Sequence, residues 1–218
     1  MKYEAIIFDL DGTLLDTLGD IMAVLNKSLS DSGINYQYSK EEGRYLLGGG
    51  ARYLIKRAVE PFHIPLKEEE QVYRQYLQNY HLSPQIDHTS IYEGMDKLLA
   101  KLKEKGVRLF VLTNKPHAIA ERVINYFLPG IFEAVYGQVE HLPVKPDPTI
   151  LNHLLENHNV KREKTLFVGD TEMDLELASN GGVDSCFVTY GFRTLEDIGS
   201  TKRIYEVDTP LEILKLVD

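Results

Sequence analysis

The chain has 218 residues, 43% hydrophobic and 26% charged, which is ordinary globular composition and excludes a disordered or collagen-like chain. Its 33 acidic and 24 basic residues give a formal net charge of -9, which disfavours nucleic acid and anionic membrane surfaces as partners. The single cysteine, Cys186, excludes an internal disulfide and a cysteine-based zinc site.

The apolar runs of the sequence are all short. None approaches the roughly 20 residues that a membrane-spanning helix needs. The run at residues 5–8 is also too short for the core of a signal peptide. We therefore expect a cytoplasmic protein without a membrane partner.

Short, nearly continuous apolar runs predict strands that are covered on both faces, at residues 5–8, 107–112, 166–168 and 186–189, with a weaker candidate at 134–136. Helical patterns separate most of these strands, at residues 92–105, 116–127, 148–158 and 172–180. This alternation predicts an α/β fold with a Rossmann-like, three-layer core, in which helices cover both faces of a parallel sheet.

The region after the first strand interrupts the alternation. It contains only helical patterns, at residues 19–32, 51–59 and 67–82, and the next clear strand begins near residue 107. We therefore predict that residues 1–15 and 87–218 form the core and that residues 16–86 form an inserted α-helical cap domain. The joins near Asp16 and residues 85–88 are candidate hinges for cap closure.

Two aspartates follow the first predicted strand directly. They are Asp9 and Asp11, and Gly12 comes next. Ligands of parallel sheets bind at the carboxyl ends of the strands, and paired carboxylates repel each other unless a cation or a proton lies between them. The alternative interpretation is a polar turn, for which an Asp-Gly pair is typical.

Three further segments bring polar side chains to the same edge of the predicted sheet. Asp170 and Asp174 follow the strand at 166–168 and either bind a cation or cap the next helix. Thr113 and Asn114 precede a helix start, which suits either a phosphate or an ordinary cap. Lys145 lies in a stiff, proline-flanked loop, with a lysine in solvent as the alternative.

In chain order these segments resemble the motifs of the haloacid dehalogenase superfamily, and specifically of its magnesium-dependent phosphatases. The family pattern is present as Asp9/Asp11, Thr113, Lys145 and Asp170/Asp174. The resemblance spans residues 6–174, and the predicted helical insert has the position of the family's helical cap. An acid/base aspartate at position 11 is absent from the dehalogenases of the family, so it favours phosphate chemistry.

The resemblance implies that the chain hydrolyses small phosphate monoesters through an aspartyl-phosphate. Asp9 would be the nucleophile, Asp11 the general acid and base, and Lys145 the cation that offsets their charge. Phosphate oxygens would be held by the Thr113 hydroxyl and by the backbone amides of Leu10, Asp11 and Asn114.

The resemblance also implies a Mg²⁺ cofactor. Its protein ligands would be the carboxylates of Asp9 and Asp170 and the backbone carbonyl of Asp11. Asp174 would lie behind them and orient a metal-bound water or Lys145.

Residues 45–54, which include three consecutive glycines, resemble the cap loop of phosphoglycolate phosphatases. Gly49 would present a backbone N–H to a small anion, and Arg52 would pair with a substrate carboxylate. The alternatives are a flexible hinge at the glycines and a solvated helix face for Arg52. Residues 190–193 follow the last predicted strand and are candidates for the rim of the entrance.

Three functions remain open from the sequence. The first is hydrolysis of a small phosphorylated metabolite, as in phosphoglycolate phosphatase. The second is a pyrophosphatase or sugar-phosphate mutase on the same scaffold. The third is a non-catalytic, phosphate-binding regulatory protein, against which the complete set of Asp9, Asp11, Lys145 and Asp170 argues. The sequence does not predict an oligomeric state.

Overall fold

A computed structural model describes residues 1–83 and 86–217 of the chain. Its strands are β1 (Ala5–Phe8), β2 (Leu15–Asp16), β3 (Ser90–Ile91), β4 (Arg108–Pro116), β5 (Ala134–Gln138), β6 (Thr165–Gly169), β7 (Asp184–Val188) and β8 (Tyr205–Val207). Six of them form a parallel sheet in the order β5-β4-β1-β6-β7-β8, and β2 pairs with β3 in a separate antiparallel ribbon.

Helices fill most of the segments between the strands. They are α1 (Leu18–Asp31), α2 (Lys40–Gly43), α3 (Gly50–Val59), α4 (Leu66–Leu82), α5 (Met95–Glu104), α6 (His117–Phe127), α7 (Thr149–Asn157), α8 (Glu172–Gly181), α9 (Leu195–Ile198) and α10 (Leu214–Val217). Short 3₁₀ turns lie at Arg44–Leu46, Glu60–Phe62, Arg162–Lys164 and Pro210–Ile213.

Strand β1 lies in the middle of the sheet because all four of its residues are apolar and buried. Its side chains alternate between the two faces: Ile6 and Phe8 belong to one hydrophobic cluster, and Ala5 and Ile7 to another. The predicted three-layer core, with helices on both faces of a parallel sheet, is thereby confirmed.

The register of the central strands places their carboxyl ends together. Phe8 of β1 lies opposite Val111 of β4 and Val168 of β6. The residues that follow these positions therefore meet at one edge of the sheet, although they are more than 150 positions apart at the extremes. This edge carries the polar segments that the sequence singles out.

Helices α1 to α4 all lie within residues 16–86, the predicted insert, and β2 and β3 lie at the two ends of this segment. Beside them, a carboxylate of Asp20 in α1 accepts hydrogen bonds from the His88 N–H at 3.2 Å and from the Thr89 hydroxyl at 2.5 Å. This contact ties the insert to the second join. Gln85 of the predicted hinge lies outside the described residues.

Several short elements differ from the prediction. β2 and β3 have only two residues each, too few to produce an apolar pattern. β8 was not predicted because it is a three-residue edge strand with only one buried residue. No helix within residues 1–83 and 86–217 combines the length and apolar character needed to cross a membrane.

Candidate active site

Three buried carboxylates meet at the carboxyl edge of the sheet. Asp9 follows β1, Asp170 follows β6, and Asp174 lies in the first turn of α8; one oxygen from each lies within 4.8 Å of the others. The Nζ atom of Lys145 is 2.7 Å from Asp9 Oδ1 and 2.7 Å from Asp174 Oδ1. The structure thus brings these four sequence-predicted residues together.

The cluster holds more negative than positive charge. Burial, with the nearby carboxylates of Asp174 and Asp11, raises the pKa of Asp9 to about 7 against the opposing effect of Lys145. Burial, with the carboxylates of Asp174 and Asp9, also raises the pKa of Asp170 well above its usual range. A hard cation that binds oxygen, such as Mg²⁺, fits this donor set because it would supply the missing positive charge.

Asp170 and Asp174 differ in how the protein holds them. Both oxygens of Asp174 accept from protein donors: Oδ1 from Lys145, and Oδ2 from the Thr171 N–H at 3.0 Å and hydroxyl at 2.7 Å. Asp170 accepts one hydrogen bond per oxygen, from the Thr13 hydroxyl at 3.0 Å and the Phe192 N–H at 2.7 Å. Asp174 is therefore placed to hold Lys145, while Asp170 keeps more capacity for a cation.

Asp174 has a second role in the backbone of this region. Thr171 and Asp174 form a capping box at the start of α8, in which Asp174 Oδ2 accepts from the Thr171 N–H and hydroxyl. The cation-site and helix-cap interpretations of this segment are thus compatible. The Asp174 carboxylate therefore orients Lys145 and also stabilises α8, the helix in which Asp174 lies.

The side chain of Asp11 lies outside the three-carboxylate cluster. Its Oδ1 accepts hydrogen bonds from the Thr17 hydroxyl at 2.7 Å and from Lys115 Nζ at 2.8 Å. The loop around it is tight: the Leu10 carbonyl accepts from the Leu14 N–H at 3.0 Å. Asp11 is therefore separated from the cation site and is held beside a different ammonium group.

Gly12 leaves room for Asp170 in this loop. Its φ of +88° lies in the left-handed region, and a Cβ atom there would overlap the Asp170 carboxylate. The Asp-x-Asp-Gly motif is therefore a packing requirement as well as a turn.

Thr113 and Asn114 lie in β4 beside the acidic cluster, and both are buried. The Thr113 oxygen accepts from the Lys115 N–H at 3.2 Å, which leaves the hydroxyl proton available to a phosphate oxygen. The Asn114 side chain accepts from the Lys145 N–H at 2.8 Å and donates to the Gly48 carbonyl at 2.9 Å. Asn114 therefore connects the Lys145 loop to the helical insert, a role the sequence did not indicate.

A cavity of about 50 Å³ lies between the core and the insert and reaches Asp9, Asp11 and Lys145. Gly48 and Gly50 line it, whereas Gly49 is not among the described lining residues. Gly49 instead caps the amino end of α3. Gly48 and Gly50, rather than Gly49, therefore border the cavity.

Arg52 lies outside the cavity. Its side chain is 59% exposed, forms an ion pair with Glu70 at 2.7 Å and stacks on the Tyr73 ring at 4.0 Å. The structure therefore places Arg52 on an exposed helix face, as in the alternative interpretation, away from the acidic cluster.

Lys115 and Tyr80 are cavity-lining residues that the sequence analysis did not single out. Lys115 directly follows Thr113 and Asn114, so its position at a strand end was a usable signal. Tyr80 lies four residues after Tyr76, and the two stacked rings mark the inner face of α4. Lys115 Nζ lies 2.5 Å from the Tyr80 hydroxyl, and the pair joins the core to the insert.

Residues after β7 form a second polar link between core and insert. Buried Arg193 donates to the carbonyls of Arg44 and, at 2.8 Å, Leu47. In return the Arg44 Nε donates to the Phe192 carbonyl at 2.9 Å. The N–H of Phe192, the residue before Arg193, bonds to Asp170. This polar link to the insert is therefore adjacent to the acidic cluster.

Comparison with known proteins gives consistent matches. The family model for haloacid dehalogenase-like hydrolases matches residues 6–188. The chain is 30% identical to a phosphoglycolate phosphatase of Aquifex aeolicus over 99% of this chain and 97% of the relative. It is also 30% identical to an N-acetylmuramic acid 6-phosphate phosphatase of Pseudomonas putida, over 100% of this chain and 97% of the relative.

The fold of a solved structure matches the fold of this chain over its whole length. The crystal structure of a predicted phosphoglycolate phosphatase from Haemophilus somnus superposes with a TM-score of 0.88 at 26% identity. The match covers 100% of this chain and 99% of the other. The core and the helical insert are therefore both part of the shared fold.

Proposed function

Because the chain belongs to the haloacid dehalogenase-like hydrolase family and is a phosphoric monoester hydrolase, we propose that it cleaves small phosphate monoesters through a covalent intermediate on Asp9. One observation carries the proposal: Asp9 is paired with Lys145 inside a buried acidic cluster at the carboxyl edge of the sheet. As a hydrolase the chain is an enzyme, and this excludes the non-catalytic alternative.

The proposed reaction has two steps. In the first, an Asp9 oxygen attacks phosphorus, the bond to the leaving oxygen breaks, and Asp11 gives that oxygen its proton. In the second, Asp11 takes a proton from a water molecule whose oxygen attacks the aspartyl-phosphate, which releases Asp9 and inorganic phosphate. The separation of Asp11 from the acidic cluster supports this division of roles.

Lys145 and Thr113 assist by binding charge. Lys145 lies 2.7 Å from Asp9 Oδ1, so its ammonium group can balance charge on the nucleophile and on the transferring phosphoryl group. The Thr113 hydroxyl and the backbone amides of Leu10, Asp11 and Asn114 are the proposed donors to the phosphate oxygens.

We propose Mg²⁺ as the cofactor, held by the carboxylates of Asp9 and Asp170 and by the backbone carbonyl of Asp11. When bound, it would neutralise charge on the phosphoryl group and on the nucleophile. The excess of buried carboxylates over ammonium groups supports this assignment. Asp174 is left out of the ligand set because protein donors already occupy both of its oxygens.

The size of the cavity bears on the substrate. A water molecule needs roughly 10–15 Å³ of such space, so a cavity of about 50 Å³ is less restrictive for a two-carbon ester than for a bulky sugar ester. Relatives named for phosphoglycolate and for a larger sugar phosphate are equally similar in sequence, so identity alone does not choose between them. The small cavity favours phosphoglycolate.

We propose that residues 16–86 act as a cap that closes over the site, with the β2–β3 ribbon at its base. The hydrogen bonds of Asn114 and Arg193 to insert carbonyls support a closed arrangement in this structure. Closure would exclude water from the aspartyl-phosphate until the leaving group departs. A cytoplasmic location stays a prediction from composition.

A phosphate-release screen tests the proposal. The enzyme is incubated with 2-phosphoglycolate, pyrophosphate, glucose 6-phosphate and N-acetylmuramic acid 6-phosphate, with Mg²⁺ or with EDTA. We expect Mg²⁺-dependent phosphate release with the highest kcat/KM for 2-phosphoglycolate. Preferred cleavage of pyrophosphate, or isomerisation of the sugar phosphate with little free phosphate, would support the alternatives, and no release from any compound would contradict the proposal.

A further inference from the structure

We propose that Lys115 makes this enzyme selective for phosphate esters whose leaving group carries a second negative charge, such as a carboxylate. The inference rests on the proposed function and adds a specificity residue to it. Its basis is the position of one buried ammonium group at the side of the cavity where the leaving group must lie.

Lys115 is buried but borders the cavity. Its side chain is 1% exposed, and Nζ lies 2.8 Å from Asp11 Oδ1 and 2.5 Å from the Tyr80 hydroxyl. An ammonium group has three donors, so contact with Asp11 and Tyr80 uses two of them. Lys115 can therefore hold Asp11 and meet an anionic ligand at the same time.

The two ammonium groups of the cavity serve different ends of the substrate. Among the described residues that line it, Lys115 and Lys145 are the cations. Lys145 is engaged by Asp9 and Asp174, where the phosphoryl group is proposed to bind. Lys115 pairs with Asp11, the residue proposed to protonate the leaving oxygen, so its charge lies on the leaving-group side.

None of the described lining residues contributed by the insert has a charged side chain; they include Leu47, Leu54, Tyr76 and Tyr80. A carboxylate that leaves water for such surroundings needs a cation and hydrogen-bond donors there. Lys115 provides both, whereas Arg52 lies outside the cavity and cannot.

The test compares two esters of similar size in the complete enzyme with Mg²⁺. These are 2-phosphoglycolate, which has a carboxylate on its leaving group, and 2-hydroxyethyl phosphate, which has a hydroxyl there. In the Lys115→Met variant, kcat/KM for 2-phosphoglycolate divided by kcat/KM for 2-hydroxyethyl phosphate should fall by about 10- to 100-fold. The fall should come mainly from a higher KM for 2-phosphoglycolate. Lys115→Arg should keep most of the preference.

Matched controls separate this role from a structural one. Lys27→Met changes a lysine whose side chain is 62% exposed on α1, and the preference should stay unchanged. If Lys115→Met lowers kcat equally for both esters and the ratio stays constant, Lys115 only positions Asp11, and the inference is overturned.

The wild-type enzyme gives a second test that does not depend on the folding of variants. Its KM for 2-phosphoglycolate should be at least about 10-fold below that for 2-hydroxyethyl phosphate. Equal KM values with turnover of both esters would overturn the inference and leave the phosphatase proposal standing. Turnover of neither ester would overturn the proposed function and the inference with it.

Discussion

The core and the helical insert contribute to the site through different chemical groups. The core provides side chains, such as Asp9 and Asp170 at strand ends and Lys145 in the loop between β5 and α7. The insert adds backbone carbonyls, with Gly48 and Leu47 as acceptors for core side chains, beside a few side chains such as Tyr80. Reaction chemistry therefore depends on residue identity in the core, while closure depends on the path of the insert backbone.

The ion pairs at the site in the core and on the surface of the insert also differ in burial. The ion pairs of Lys145 in the core have side chains no more than 8% exposed, whereas the Arg52–Glu70 pair on the insert is 59% and 38% exposed. Loss of one partner of a buried pair leaves an uncompensated charge, while exposed pairs contribute about 0–1 kcal/mol to stability. Substitutions in the core should therefore have the larger effects.

The largest effect should follow from Asp170→Asn. Because Asp170 is a buried member of the cation cluster, its loss should raise the Mg²⁺ concentration for half-activity at least about 10-fold. Calorimetric titration with Mg²⁺ would measure the same loss without turnover. Asp96→Asn, an exposed position on α5, is the control. An unaltered Mg²⁺ titration would remove Asp170 from the ligand set.

Asp174→Asn should act on Lys145 instead. The variant loses the charge that holds the Lys145 ammonium and part of the α8 capping box. We expect kcat to fall about 10-fold or more and the free energy of unfolding to fall by about 1–3 kcal/mol. The Mg²⁺ concentration for half-activity should rise less than in Asp170→Asn. A larger rise in Asp174→Asn would instead make Asp174 the cation ligand and Asp170 the supporting carboxylate.

Arg193→Lys probes the polar link between core and insert. A lysine cannot reproduce the fork that bonds the Arg44 and Leu47 carbonyls, so kcat/KM should fall about 10-fold. Limited proteolysis should cut the insert faster in this variant. Arg203→Lys, whose ion pair with Glu206 is partly exposed, is the control, and identical kinetics in both variants would argue against a closing role.

Gly50→Ala tests the close approach of the insert backbone. Gly50 has a φ of +82°, and an added Cβ would lie 3.1 Å from the Asn114 carbonyl oxygen. Gly33→Ala has nearly the same φ, +81°, with open space around the new atom. Thermal unfolding should show the same backbone cost of about 1 kcal/mol in both. KM should rise about threefold only in Gly50→Ala, and equal KM values would refute the close-approach argument.

Arg52→Ala should have the smallest effect. Since its guanidinium binds Glu70 on an exposed face, KM should stay within about twofold and stability within about 1 kcal/mol of the wild-type values. Steady-state kinetics with 2-phosphoglycolate measures this directly. A large rise in KM would return Arg52 to the substrate-binding role that the sequence suggested.

The parallel core could be predicted because its information is local. β1 and β6 are short apolar runs that end in aspartates, so both the strands and the residues at their ends were visible in the sequence. Lys145 was also visible as a proline-flanked residue, but its distance of 2.7 Å from Asp9 Oδ1 depends on how its loop folds back over the sheet.

The contacts between the core and the insert could not be predicted, because they join segments that are distant in the sequence. Arg193 meets Leu47 across 146 positions, and no local pattern marks either residue as a partner. Lys115 was visible at a strand end, but its proximity to Tyr80 depends on how α4 packs over the core. The local sequence could not show whether Arg52 pairs with a substrate carboxylate. A basic residue beside a glycine loop has the same neighbours in sequence whether it faces the cavity or solvent.

The central claim is that Asp9 becomes phosphorylated during turnover. Rapid quenching of the enzyme with 2-phosphoglycolate and Mg²⁺, followed by peptide mass spectrometry, tests it directly. We predict one added phosphoryl group on Asp9, and Asp11→Asn should slow both its formation from 2-phosphoglycolate and its hydrolysis, because the first step loses its proton donor and the second its base. A phosphoryl group on another residue, or undiminished turnover by Asp9→Asn, would contradict the account.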